Sequence, residues 1–169
     1  MTRSERSIAR GRRISGRAQN DDIEDPYRMR KKLSEPTFCR QCGAVWHRGR
    51  WQWGAKPAGA ESALCSACRR IEDRLPAGRV TIPRDFVTDR LVEIVGLLRN
   101  EEREEKQEHP LNRIIDIEET TDALIVHTTD IHLPRRLGEA LKRAFHGELN
   151  MHFDEAGYFV RVDWSPSPR

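Results

Sequence analysis

"FCRQCGAVWHRGRWQWGAKPAGAESALCSACRR", residues 38–70, contains every cysteine of the chain, arranged as Cys39-x-x-Cys42 and Cys65-x-x-Cys68 with twenty-two residues between the pairs. Two such pairs supply four soft ligands for a closed tetrahedral site, and the pattern is that of a zinc ribbon. Each pair suits a tight knuckle whose backbone amides face the sulfurs, and Gly43, directly after the first pair, permits the positive φ such a turn often uses. A lone redox Cys-x-x-Cys would need a strand–turn–helix setting, which Pro36-Thr37 and the tryptophan-rich segment do not suggest. Two structural disulfides would need an exported protein. The expectation is therefore a structural Zn2+ held by Cys39, Cys42, Cys65 and Cys68. His47 could replace a cysteine, but four thiolates already complete the set. A closed set leaves no open position for a catalytic water.

Between the pairs lie Trp46, His47, Arg48, Arg50, Trp51, Trp53 and Lys56, while Arg40, Arg69 and Arg70 flank the sulfurs. Arginines interleaved with indoles are the mixture that contacts phosphates and stacks on bases. Net charge sharpens this reading. The total of +3 divides into +1 over residues 1–27, +8 over residues 28–79 and −6 over residues 80–169. A positive block of that size points to a polyanion. The expected RNA contacts are Arg40, Arg48, Arg50, Lys56, Arg69 and Arg70 on phosphates, with Trp51 or Trp53 stacking on a base. A small metal module has little core of its own, so one or two tryptophans are equally expected to pack beneath it.

With 37% apolar and 34% charged residues in 169, one core spanning the whole chain is not expected. No apolar run is long enough for a membrane helix, and the start lacks a secretory signal, so the expectation is a cytoplasmic protein without membrane contact. Residues 1–19 are rich in Arg and Ser with one acid, Glu5, and read as a flexible basic arm. The expected organisation is an arm over 1–27, a zinc-ribbon module over 28–78, an α+β domain over 79–165 and a tail over 166–169.

Past Pro76 the periodicities become regular. Residues 79–82 read as a strand. Residues 85–108 read as a helix with Val87, Leu91, Ile94, Val95 and Leu98 at helical spacing, ending in an acidic run, "EEREEKQE", that looks solvated. Strands follow over 113–119 and 123–129. A second helix is expected over 130–146, with Asp130 as N-cap, Pro134 in the first turn and Gly147 as the stop. Leu149, Met151 and Phe153 alternate with Asn150, His152 and Asp154, and Tyr158, Val160, Val162 and Trp164 with Phe159, Arg161 and Asp163, as two half-buried antiparallel strands. The order β-α-β-β-α-β-β predicts a split βαβ, ferredoxin-like domain with one strand added at its end.

"HTTDIH", residues 127–132, is the best place to look for catalysis, at a strand end entering a helix. A helix cap and a strand edge account for it more simply. No phosphate-binding glycine loop or dinucleotide fingerprint occurs in the chain. Arg135, Arg136, Lys142 and Arg143 on the second helix form either a second phosphate-facing surface or a solvated face with Glu139 pairing across it. The expectation is a non-enzymatic protein.

"CRQCGAVWHRGRW", "CSACRRIEDRLPAG", "HPLNRI" and "TTDIHLPRRLGEAL…VRVDW" resemble a family of small bacterial zinc-ribbon proteins with the same order of blocks. More distantly, a zinc ribbon followed by this alternation is similar to the amino-terminal part of the archaeal and eukaryotic adaptor that binds the large ribosomal subunit, of the nonsense-mediated-decay-protein-three type. The resemblance implies the ligand set Cys39, Cys42, Cys65 and Cys68 and association with RNA or a ribosomal particle. The adaptor carries further cysteine pairs that are not found here. The alternative expectation is a zinc-dependent protein–protein adaptor whose tryptophans form an apolar hot spot.

Overall fold

The computed structural model describes Tyr27, residues 32–155 and residues 157–168. The arm expected over 1–27 therefore lies outside the described residues except for Tyr27.

Four short strands build the cysteine-bearing sheet: β1 (Thr37–Cys39), β2 (Val45–His47), β3 (Arg50–Gln52) and β4 (Glu61–Ala63), in the spatial order β3-β2-β1-β4. β1 and β2 form a hairpin through the first cysteine pair, with Gly43 at φ +80°, the conformation for which glycine is suited. The second pair opens helix α1 (Ser66–Asp73) instead of a second knuckle, with Cys65 at the N-cap and its Sγ accepting from the amide of Cys68. The Cys68 amide thus points at the Cys65 sulfur from the helix N-terminus.

α1 leads into β5 (Gly78–Pro83), the short α2 (Arg84–Val87), α3 (Leu91–Glu108), β6 (Ile114–Glu119), β7 (Ala123–Thr128), α4 (Leu133–Phe145), β8 (Glu148–Phe153) and β9 (Val160–Ser165). The single helix expected over 85–108 is broken at Thr88–Arg90. There the Thr88 hydroxyl donates to the Arg84 carbonyl and the Arg90 amide donates to the Val87 carbonyl, closing a tight turn. This turn lets both Val87 and Ile94 point into the core, where each is fully buried.

The larger sheet has the order β6-β7-β5-β9-β8. β5, α3, β6 and β7 follow the split βαβ scheme, with β7 antiparallel to both β5 and β6. The last strand departs from the expected ferredoxin-like arrangement. β9 enters between β5 and β8, parallel to β5 and antiparallel to β8, so the added strand is internal and β8 forms the edge. Val80, Ile82, Leu124, Val126, Val160, Val162 and Trp164 on one face form a single core with Val87, Ile94, Leu98, Leu133, Leu137 and Leu141 of the helices. Chain α+β in class, the molecule contains two mixed sheets.

One side of the acidic run at the end of α3 is a structural face, while Arg103, Glu104, Gln107 and Glu108 remain exposed as expected. Glu101 is buried and accepts from Arg136 and Arg143 of α4, while Glu105 accepts from Arg136 and from Asn112. Of the cations on α4, Arg136 and Arg143 are therefore committed to acids on α3, and Arg135 pairs with Glu139 as expected.

Candidate metal centre

The four cysteines converge. Their Sγ atoms all lie within 4.8 Å of one another, and Cys39, Cys65 and Cys68 are buried. Four thiolates around a metal at about 2.3 Å stand about 3.8 Å apart along the edges of a tetrahedron. Cys42 and Cys65 have that separation, 3.8 Å. Backbone amides supply the first electrostatic support: the Cys65 amide donates to Cys39 Sγ at 3.4 Å and the Cys68 amide to Cys65 Sγ at 3.4 Å. The cluster could hold a metal ion, and its donors suit a soft, tetrahedral one.

Proton sharing shows why a cation fits. Hydrogen bonding to Cys65 holds the Cys42 thiol far below its usual range, at about 4, and Arg113 acts in the same direction. The same shared proton, with burial, pushes the Cys65 thiol up, and burial pushes up that of Cys68. Ionising one sulfur thus opposes ionising the next. A bound cation would compensate that accumulated negative charge.

Arg113 was not anticipated from sequence and is the main addition to the site. It sits at the entrance to β6, is buried, and reaches across to the cysteines from the larger sheet. Its Nη2 lies 3.3 Å from Cys65 Sγ, 3.4 Å from Cys68 Sγ and 3.7 Å from Cys42 Sγ. Burial alone would depress its pKa, yet the sulfurs of Cys68, Cys65 and Cys42 hold it above the ordinary value. Its backbone is fixed by Thr129, whose hydroxyl accepts from the Arg113 amide and donates to the Leu111 carbonyl. Leu111 itself packs against the cysteine cluster. In sequence, the only trace is an arginine inside "LNRII", where a strand begins and an apolar residue would be usual.

Of the two tryptophans expected to meet a base, one packs into the module and the other is partly exposed. Trp51 is 9% exposed and packs edge-on against Trp46 at 5.7 Å between centroids, so its ring belongs to the module core and offers no free face to a base. Trp53 keeps 38% exposure, but its indole N–H donates to the Lys106 carbonyl near the end of α3 at 2.6 Å. Arg70 is also removed from the phosphate-facing set: it is buried, donates to the Leu75 carbonyl and lies over the Tyr27 ring. Arg40, Arg48, Arg50 and Arg69 are exposed, as is Lys56, whose ammonium lies 4.0 Å above the Phe38 ring. His47 points away from the sulfurs toward Glu35, at 3.9 Å. The Glu35 carboxylate also accepts from the amides of Arg48 and Gly49, which hold its pKa below the ordinary value.

The "HTTDIH" segment is occupied by structural contacts. Asp130 Oδ2 accepts from the amides of His132 and Leu133 at the start of α4, the Thr128 hydroxyl donates to the Asp130 carbonyl, and His127 pairs with Asp116. A groove of about 530 Å³ runs along the cysteine module beside Pro36, Val45, Trp53 and Pro57. Among the described residues no helix is long and apolar enough to cross a membrane. No family model matches the chain, and no curated protein or solved structure matches it at significant similarity.

Proposed function

We propose that the protein is a non-enzymatic, structural-zinc protein that binds RNA through phosphate contacts of its cysteine module. Zn2+ would be held by Cys39, Cys42, Cys65 and Cys68 and supplies cross-linking of β1, β2 and α1 where the module has little apolar core. Four thiolates with a divalent ion carry a net charge of −2, and Arg113 offsets part of it from the larger sheet. The metal thereby fixes how the basic surface is carried on the larger sheet.

One observation carries the RNA reading: Arg40, Arg48, Arg50 and Arg69 are all exposed, and among the described residues none forms an ion pair with an acid. Solubility does not require such a concentration of free cations. With Trp51 buried and the Trp53 N–H engaged, this surface should contact backbone phosphates and read little sequence. The likeness to the large-subunit adaptor nominates ribosomal particles as the first RNA to test. The test is binding of a labelled RNA between 50 and 200 mM salt, beside a variant with Arg48→Glu and Arg50→Glu. A steep fall in affinity with salt, and loss of binding in the variant, are expected. A salt-independent affinity, or unchanged binding by the variant, contradicts the reading.

The apolar-lined groove at Pro36, Val45, Trp53 and Pro57 favours a second reading, a zinc-dependent protein adaptor. In that case a Trp53→Ala variant loses a protein partner while RNA has no effect on the wild-type chain.

A further inference from the structure

Helices α2 to α4 pack against one face of the larger sheet, and the opposite face carries a row of ionisable side chains. Cα registers align Asp116 on β6 with His127 on β7, His127 with Arg79 on β5, Arg79 with Arg161 on β9, and Arg161 with His152 on β8. Strand alternation directs them away from the buried Val80, Val126, Val160 and Val162. With strands about 4.8 Å apart, a row across five of them runs for about 19 Å.

The row is electrostatically unbalanced. Its one acid, Asp116, is engaged by His127 Nδ1 at 2.7 Å. Arg79 and Arg161 are register partners on the parallel strands β5 and β9, an arrangement of like charges that an anion between them would favour. Among the described residues neither guanidinium forms an ion pair, and Arg79 Nε and the neighbouring Thr81 Oγ1 are buried without a hydrogen-bond partner. Phe159 lies beside the row, with the Arg161 guanidinium 5.9 Å from its ring centroid. Glu118 and Asp163 occupy the next row along the strands and confine the positive stripe to one row.

We infer that this row is a second binding surface, for single-stranded RNA: Arg79 and Arg161 hold backbone phosphates and Phe159 stacks on a base, with His127 and His152 flanking them. The inference rests on the RNA reading above and adds a base-stacking ring, Phe159, on the larger sheet. Arg79 and Arg161 on adjacent strands, about 4.8 Å apart, can reach neighbouring phosphates of one strand. An adjacent aromatic ring suits unstacked bases rather than a polycarboxylate chain.

The experiment is fluorescence anisotropy of a labelled twelve-nucleotide oligouridine with the full chain, using Arg161→Gln, Arg79→Gln and Phe159→Ala beside the Arg48→Glu/Arg50→Glu variant. Circular dichroism and Tm control for folding, and the exposed Arg161 keeps the test decisive should the partly buried Arg79 not tolerate replacement. Each sheet variant should weaken binding about tenfold, and each arginine variant should flatten the log–log salt slope by about 0.7. If sheet variants bind like wild type while the module variant does not, the sheet surface is refuted and the RNA reading stands. If the wild-type chain binds no oligouridine at low salt, both fall. Displacement by poly-glutamate as effective as by unlabelled RNA refutes recognition of a nucleic acid at this face.

Discussion

A guanidinium beside three sulfurs is held there by charge more than by a complete set of hydrogen bonds, since Arg113 Nε is buried without a partner. Groups that support metal ligands from outside typically contribute 10- to 100-fold to affinity. Arg113→Met, which keeps the stem and removes the charge, should therefore weaken metal binding by about 10- to 100-fold in a chelator competition, with Arg113→Lys between the two. Asp130 makes a different prediction. Burial raises its pKa to about 6 from the ordinary 3.8, partly countered by the amides of Leu133 and His132. The native state then binds more protons than the unfolded one between those two values, so this group lowers stability as pH rises through that window. Asp130→Asn keeps an oxygen for the cap and cannot ionise. Urea unfolding should show no difference from wild type near pH 3 and a growing advantage for the variant toward pH 7. A constant difference across that range would contradict the assignment.

At the scale of elements, the second half of α3 joins the parts of the fold. Glu101 accepts from two arginines of α4, Glu102 accepts from the Ile114 amide, and the Lys106 carbonyl accepts from Trp53. A double-mutant cycle of Glu101→Gln with Arg136→Met should give a coupling of about 0.5–3 kcal/mol in unfolding experiments. Additive losses would mean that the pair is ornamental. Gly147, at φ +86°, ends α4 where a Cβ would meet the Ser165 carbonyl oxygen at 2.2 Å, so Gly147→Ala should lower Tm markedly. Existence and type of these elements were legible: the helical spacing of Ile94 and Leu98 and the Gly147 stop point to what the structure contains, whereas the helix expected from Asp130 begins at Leu133 with His132 at its N-cap, the Asp130 carboxylate accepting from the His132 and Leu133 amides. Burial of the acidic face was not, because its partner Arg136 lies 35 residues from Glu101 and leaves no mark on local periodicity. Arg113 was hidden for the same reason, being 45 to 71 residues from the sulfurs it touches.

The whole molecule adds strand order and the joining of its two sheets. β9 is internal because Val160, Val162 and Trp164 are almost wholly buried, whereas Leu149, Met151 and Phe153 on β8 are only half-covered and suit an edge. Alternation showed both strands but could not rank them, since a hairpin of equal lengths can present either member to β5. The two sheets also differ in what sustains them. The larger has fourteen buried apolar residues in one core; the cysteine module's buried cluster has seven members, of which three are the cysteines themselves. Chelation should consequently remove hydrogen-exchange protection from β1–β4 and α1 while β5, β7 and β9 stay protected. Simultaneous loss everywhere would show that the larger sheet also depends on the metal.

The measurement closest to the central claim is zinc content together with zinc X-ray absorption on the purified full-length chain. One zinc per chain with four sulfur neighbours at about 2.3 Å is the expected result, and alteration of the absorption edge by Arg113→Met would show that the guanidinium acts on the bound thiolates. A chain that binds no metal, or one whose metal has nitrogen or oxygen neighbours in place of the sulfurs, would contradict the account.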